Sequence, residues 1–196
     1  MSVLQFKIML KGIYPPIWRQ IQVSSLCTFW DLHVAIQDAM GWEDYHLHLF
    51  EIINSKTGKK EVIGIPEDNG FDDDATMPGW NYKVSDYIHA PANQQIVYVY
   101  DFGDHWEHII EFEGEYKKQI GKKYPLCLSG KRACPPEDVG GIHGYQNYAQ
   151  IMLDPLHPRY SELMEWRGKF DAEKFDPRMI KFSDPNIRWK RAFVGG

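Results

Sequence analysis

Two carboxylates and two imidazoles gather around one bend of this chain. The segment Ile96–Glu113, IVYVYDFGDHWEHIIEFE, carries Asp101, Asp104, His105 and His108. A histidine pair stands upstream at His46-Leu47-His48, and an acidic pair, Glu137-Asp138, follows Pro135-Pro136. Imidazole nitrogens and carboxylate oxygens are the donor set of zinc, manganese and iron, and a divalent ion so held activates water. On that reading His46, His48, Asp101, Asp104 and His108 are candidate ligands of a divalent metal. Glu137 or Asp138 is then the candidate general base, and Cys134 a soft ligand or reactive thiol.

A structural reading uses the same residues. Asp101 and Asp104 are turn formers whose side chains accept backbone N–H bonds. Trp106 and His108 follow the apolar face of the return strand, as core residues do. Glu137 and Asp138, ahead of Val139-Gly140-Gly141, would fix a loop through hydrogen bonds and ion pairs with Lys131 or Arg132. Both readings stay open at the level of sequence, since nothing there shows that the three segments meet.

The elements that must position these groups are legible from period and punctuation. Ile96–Tyr100 is rich in β-branched and aromatic residues and reads as a buried strand. Asp101-Phe102-Gly103-Asp104 breaks it, with Gly103 expected to supply a positive φ. The return strand places Trp106, His108, Ile110 and Phe112 on one face and His105, Glu107, Ile109 and Glu111 on the other. Earlier, Ser2–Leu10 and Ile17–Val23 read as a hairpin around Pro15-Pro16.

Thr28–Met40 is the clearest helix. Thr28 and Asp31 form a capping pattern, Leu32, Ala35, Ile36, Ala39 and Met40 share one face, and Gly41 closes it. His33 reads as a half-buried helix residue. If His46 and His48 lie on one strand, their spacing puts them on the same side. Glu61–Ile65 reads as a short strand and Lys83–Ile88 as one helical turn. Pro66–Trp80 holds Glu67, Asp68, Asp72, Asp73 and Asp74 without the spacing of a calcium loop, and reads as a solvated acidic loop.

Residues 115–144 form an expected Pro/Gly-rich ordered loop, and residues 145–196 a helical C-terminal segment interrupted by Pro155 and Pro177. The expected architecture is one α+β domain over residues 1–196. Residues 1–114 supply a mixed or antiparallel β-sheet with a packed helix, β-grasp-like in its order of hairpin, helix and further strands.

Composition narrows the function classes. Hydrophobic residues make up 43% and aromatic residues 14%, enough for a bulky core. No apolar run is long enough to span a bilayer, and MSVLQFKIML lacks the basic start of a signal peptide. A cytoplasmic location is expected, with Cys27, Cys127 and Cys134 as free thiols. The net charge of -5 gives no global attraction to nucleic acid. The only basic, aromatic patch is Arg188-Trp189-Lys190-Arg191, which reads as a solvated tail. A protein partner is the better-fitting class, with the hairpin and helix presenting an edge or groove.

Three series of residues also resemble a known family. They are Ile17-Trp18-Arg19 with Leu32-His33, Gly41-Trp42 and His46-Leu47-His48-Leu49-Phe50; Tyr98-Val99-Tyr100-Asp101-Phe102-Gly103-Asp104-His105-Trp106-Glu107-His108; and Pro135-Pro136-Glu137-Asp138-Val139-Gly140-Gly141 with Gly144-Tyr145. In order and spacing they resemble the plasmid pRiA4b ORF-3-like family, over nearly the whole chain. The resemblance implies a compact α+β domain of bacteria, archaea and mobile elements. It implies that Tyr100, Phe102, Gly103, Trp106, Pro135, Pro136, Gly140 and Gly141 are the family's structural motif. Some members carry transposon-passenger or resolvase labels. This sequence has no serine-recombinase nucleophile context, no helix-turn-helix and no tyrosine-recombinase set, so the expected role is an accessory or protein-interaction domain, associated with plasmid or transposon elements. A metal-dependent hydrolase is the alternative.

Overall fold

A computed structural model describes residues 2–54, 57–66, 76–88 and 95–194. The first hairpin pairs β1 (Ser2–Leu10) with β2 (Trp18–Ser24), Phe6 opposite Ile21. Inward residues alternate with half-exposed ones along both strands, which fixes the register because a one-residue slip would turn the apolar set to solvent. The chain then enters α1 (Phe29–Met40). Thr28 Oγ1 accepts from the Asp31 amide at 3.1 Å, and Asp31 Oδ2 accepts from the Thr28 amide at 2.8 Å, a reciprocal cap. Gly41 closes the helix at φ 93°, a left-handed conformation suited to glycine.

Five further strands follow: β3 (His48–Ile53), β4 (Lys60–Gly64), β5 (Met77–Pro78), β6 (Gln95–Tyr100) and β7 (Trp106–Lys117). Among the described residues, β1 and β2 with these and β8 (Leu126–Lys131) form an eight-stranded sheet in the order β5-β4-β3-β6-β7-β1-β2-β8, parallel only between β4 and β5. Three helices close the chain: α2 (Gly141–Ile151), α3 (Tyr160–Arg167) and α4 (Pro185–Phe193).

The fold is therefore α+β with a mostly antiparallel sheet. Leu32 and Ile36 of α1 share one core with Phe6, Ile8, Ile21, Phe50, Tyr98 and Ile110 from the strands. Each such fully buried side chain contributes roughly 1.5–3 kcal/mol, enough to hold the helix to the sheet. No helix among the described residues is long and apolar enough to cross a membrane.

Two segments differ from expectation. Within the expected loop of residues 115–144, Leu126–Lys131 forms β8 and pairs with β2. Pro125 and Gly130 hide its alternation, yet Gly130 is there for packing: a β-carbon would lie 2.5 Å from Phe175 Cε1 and 2.8 Å from the Trp18 carbonyl oxygen. The Arg188-Trp189-Lys190-Arg191 patch, expected as a solvated tail, instead lies within α4 against α1. Arg188 Nη2 lies 2.7 Å from Asp38 Oδ1, and Trp30 Nε1 donates to the Pro185 carbonyl at 3.0 Å. The acidic residues Glu67, Asp68, Asp72, Asp73 and Asp74 lie outside the described residues.

Candidate functional site

The β6–β7 bend is held by its own aspartates. Asp101 takes φ 57° and His105 φ 54°, so the left-handed positions are these two and not Gly103, as the sequence led us to expect. Aspartate tolerates that conformation because its side chain satisfies the local amides. Asp101 Oδ1 accepts from the amides of Gly103 at 2.9 Å and Asp104 at 3.3 Å. The Asp101 amide donates to the Leu47 carbonyl at 3.0 Å, which draws His46 alongside the bend.

The Pro/Gly-rich segment docks onto the same bend. Asp104 Oδ2 accepts from the Gly140 amide at 3.1 Å. Gly141, at φ 66°, passes so close that a β-carbon there would sit 2.7 Å from the Asp104 carbonyl oxygen. Trp42 Nε1 donates to the Pro135 carbonyl at 2.9 Å, and the Trp42 ring stacks on Tyr100 with centroids 5.0 Å apart.

Glu137 is buried, and both of its carboxylate oxygens are committed. One accepts from the Tyr100 hydroxyl at 2.5 Å and the other from the Glu43 amide at 3.1 Å. The Tyr100 hydroxyl is shifted above the ordinary phenol range, by burial first and by Glu137 second. Trp106 is buried under the bend, while Phe102 and Pro136 stand at its surface, half-exposed or nearly so.

These contacts bring three chemical groups together at a rim open to solvent. His46 Nε2 lies 2.9 Å from Asp138 Oδ1 and 3.6 Å from Asp101 Oδ2. Side-chain exposure rises from 9% at Asp101 through 31% at His46 to 57% at Asp138, so the cluster is reachable from outside. One imidazole and two carboxylates suit zinc or manganese. Asp138 also borders a groove of about 440 Å³ lined by Tyr148, Arg159, Leu163 and Trp166.

The other sequence candidates stand elsewhere. His48 does not accompany His46, because β3 begins only at His48 and the two-residue period does not extend back to His46. His48 is enclosed, with its imidazole shifted well below the ordinary range, by burial and then by His33. His108 is likewise fully buried; its Nδ1 lies 3.0 Å from the Trp106 carbonyl oxygen, and burial lowers its pKa to about 4. Desolvation pushes the Cys134 thiol up to about 12, which removes it as a thiolate at neutral pH.

Sequence reasoning passed over a second cluster. His33 on α1 is fully buried, not half-buried, with Nε2 2.8 Å from Asp44 Oδ1 and its ring stacked on His48. The available signals were Leu32-His33 in the first motif series and an aspartate just beyond the helix end, which takes φ 66° in the structure.

Comparison with known proteins adds a family and a fold. The family model described as "Plasmid pRiA4b ORF-3-like protein" matches residues 2–179. "Uncharacterized protein y4hQ" of Sinorhizobium fredii is 31% identical over 185 residues, covering 94% of this chain and 89% of that protein. A crystal structure of a "Protein of Unknown Function MM3350" from Methanosarcina mazei Go1 is 42% identical, with a TM-score of 0.84 over 92% of this chain and 98% of that one. No enzymatic activity attaches to either name.

Proposed function

The chain belongs to the plasmid pRiA4b ORF-3-like family, and from that premise we propose that it is an accessory binding domain whose working surface is the rim around His46. Asp101 and Asp138 hold a divalent cation with His46. The open side of that cation takes an anionic group of a partner protein or ligand lying in the groove beside Asp138. The observation that supports this reading is the position of one half-exposed imidazole within reach of two carboxylates from distant segments. Three protein ligands leave coordination positions free, as a binding or catalytic centre needs and a closed structural site does not.

Binding is favoured over hydrolysis by the state of Glu137. A general base needs a free oxygen within reach of the water it activates, and both Glu137 oxygens already accept hydrogen bonds. Glu137 is thus a positioning residue for the loop that carries Asp138. The metal-dependent hydrolase alternative would have to draw its base from another group. Association with plasmid elements fits the family's name, and association with plasmid or transposon elements is part of the same proposal.

The architecture enters the proposal too. Residues 1–196 act as one unit, because the bend, the 135–141 loop and α2 share the rim. The order of β1–β2 hairpin, α1 and further strands supports a β-grasp-like description of the sheet and its helix.

Titration of the stripped protein with manganese or zinc, followed by calorimetry, tests the reading. One rim ion is expected in the wild type. Its affinity should fall at least roughly tenfold in Asp138→Asn, because a charged ligand is lost while the side-chain shape remains. Unchanged binding in both Asp138→Asn and His46→Ala would overturn it.

A further inference from the structure

The histidine that the rim leaves out belongs to a different centre. His48 lies flat against His33, ring centroids 3.5 Å apart and planes 7° apart. Its Nδ1 is buried and has no hydrogen-bond partner among the described residues. A nitrogen so placed has given up water without replacement, which native interiors seldom tolerate. Beside it, Asp44 Oδ1 lies 2.8 Å from His33 Nε2. One donor atom from each of His33, Asp44 and His48 falls within 4.8 Å of the others.

We propose that His33, Asp44 and His48 form a second, enclosed site for one divalent transition ion of the zinc class, with α4 as its cover. Two imidazoles and a carboxylate are an established donor set for such ions. The inference does not depend on the rim reading, since the two sites share no residue.

The surroundings supply the support that metal-bound histidines need. His33 Nδ1 lies 2.8 Å from the Tyr98 hydroxyl, which also accepts from Gln37 Nε2 at 2.9 Å. In the neutral arrangement His33 Nε2–H donates to Asp44 and the Tyr98 hydroxyl donates to Nδ1. An ion at Nε2 requires that proton on Nδ1 instead. Tyr98 accommodates the change by rotating its O–H away and accepting from Nδ1–H. Gln37 Oε1, buried and unpartnered among the described residues, can take the redirected hydroxyl proton once its amide turns. The tautomer changes and no net proton is lost from the protein. An in-plane lone pair from each ring to one ion also requires the His48 ring to turn out of the stack, and no hydrogen bond at Nδ1 resists that turn.

Entry is governed by α4. Arg188 Nη1 lies 3.6 Å from Asp44 Oδ2, while its Nη2 is held by Asp38 Oδ1 at 2.7 Å and Ser183 Oγ at 2.9 Å. Phe193 packs on Trp30 at 5.6 Å between centroids, and Trp30 in turn packs on His48 at 5.9 Å. Arg188 therefore balances the Asp44 charge from the cover itself, and an incoming cation takes over that role.

Cobalt binding by the full-length His46→Ala chain, in which the rim is disabled, tests this. That protein should retain one cobalt through dialysis and show the intensified visible bands of a low-symmetry nitrogen and oxygen site. Adding Asp44→Asn should weaken binding roughly tenfold or more, with near-ultraviolet dichroism unchanged because asparagine tolerates the left-handed backbone. His48→Leu, which fills the same space with apolar atoms, should give the same loss. Arg188→Ala should speed cobalt uptake. Absence of bound cobalt in His46→Ala, or equal affinity with and without Asp44, overturns the inference. If the rim reading alone is wrong, wild type and His46→Ala will hold the same number of ions.

Discussion

The Tyr100 hydroxyl, at the end of β6, donates to a carboxylate oxygen of Glu137 at 2.5 Å, bridging 37 positions of chain. The same hydroxyl accepts from the Tyr45 amide at 3.0 Å. One phenol thus joins the bend, the His46 segment and the Pro/Gly-rich loop, the three pieces that supply the rim.

Removing that hydroxyl should loosen all three. Tyr100→Phe leaves a buried carboxylate oxygen and a backbone amide without their partner. Hydrogen bonds to a charged group contribute about 1.5–3 kcal/mol, so a loss of about 2 kcal/mol is expected. Thermal melting should show Tm lower by roughly 4–8 °C for a chain of this size.

Glycine at 141 is required twice over, by its φ of 66° and by the Asp104 carbonyl against it. Gly141→Ala should cost about 2–3 kcal/mol, from left-handed strain plus displacement of the loop. Gly41→Ala is the control. Its φ is also positive, at 93°, but nothing lies within 4 Å of the added carbon, so about 1–2 kcal/mol is expected. Urea midpoints of the two variants measure the difference.

Acid should unfold this protein from within its core. Burial lowers the His108 pKa to about 4, against 6.5 for an ordinary imidazole. The unfolded chain therefore binds the proton that the native chain refuses. Stability is fully present above pH 6.5 and falls as pH drops through the window down to about 4. The full loss is on the order of 3 kcal/mol. His48 is shifted in the same direction by burial and by His33. Denaturant midpoints at pH 7.5 and pH 4.5 should differ accordingly, and His108→Leu should flatten the slope.

The helix cap offers a local check. Thr28→Ala removes the acceptor for the Asp31 amide. A loss of about 1 kcal/mol is expected, and Asp31→Ala, which breaks the reciprocal bond, should not add fully to it.

What could be read from sequence follows from how local each signal is. The α1 helix was legible because Thr28, Asp31 and Gly41 write its ends within a few residues, β1, β2 and β7 because burial alternates along them, and β6 because its β-branched and aromatic run is buried almost throughout. β8 was not, since Gly130 reflects the Phe175 ring, a neighbour distant in sequence. The left-handed residues of the bend were misplaced because Gly103 is the usual choice, whereas Asp101 and His105 carry the conformation here. His46 and His48 share no strand period, because β3 starts two residues too late to include both. The partners of His33, above all Tyr98 from a strand 65 positions away, leave no local trace. Arg188 looked like part of a solvated tail because Asp38 and Asp44, which hold it, lie far upstream.

A crystal soaked in manganese or zinc and measured at the metal's absorption edge tests the central claim most directly. An anomalous peak is expected, bounded by His46 Nε2, Asp101 Oδ2 and Asp138 Oδ1 at coordination distances of about 2.0–2.2 Å. Asp138→Asn crystals should lose the peak. Difference density that leaves the rim empty at saturating metal, with His46 still donating to Asp138, would contradict it.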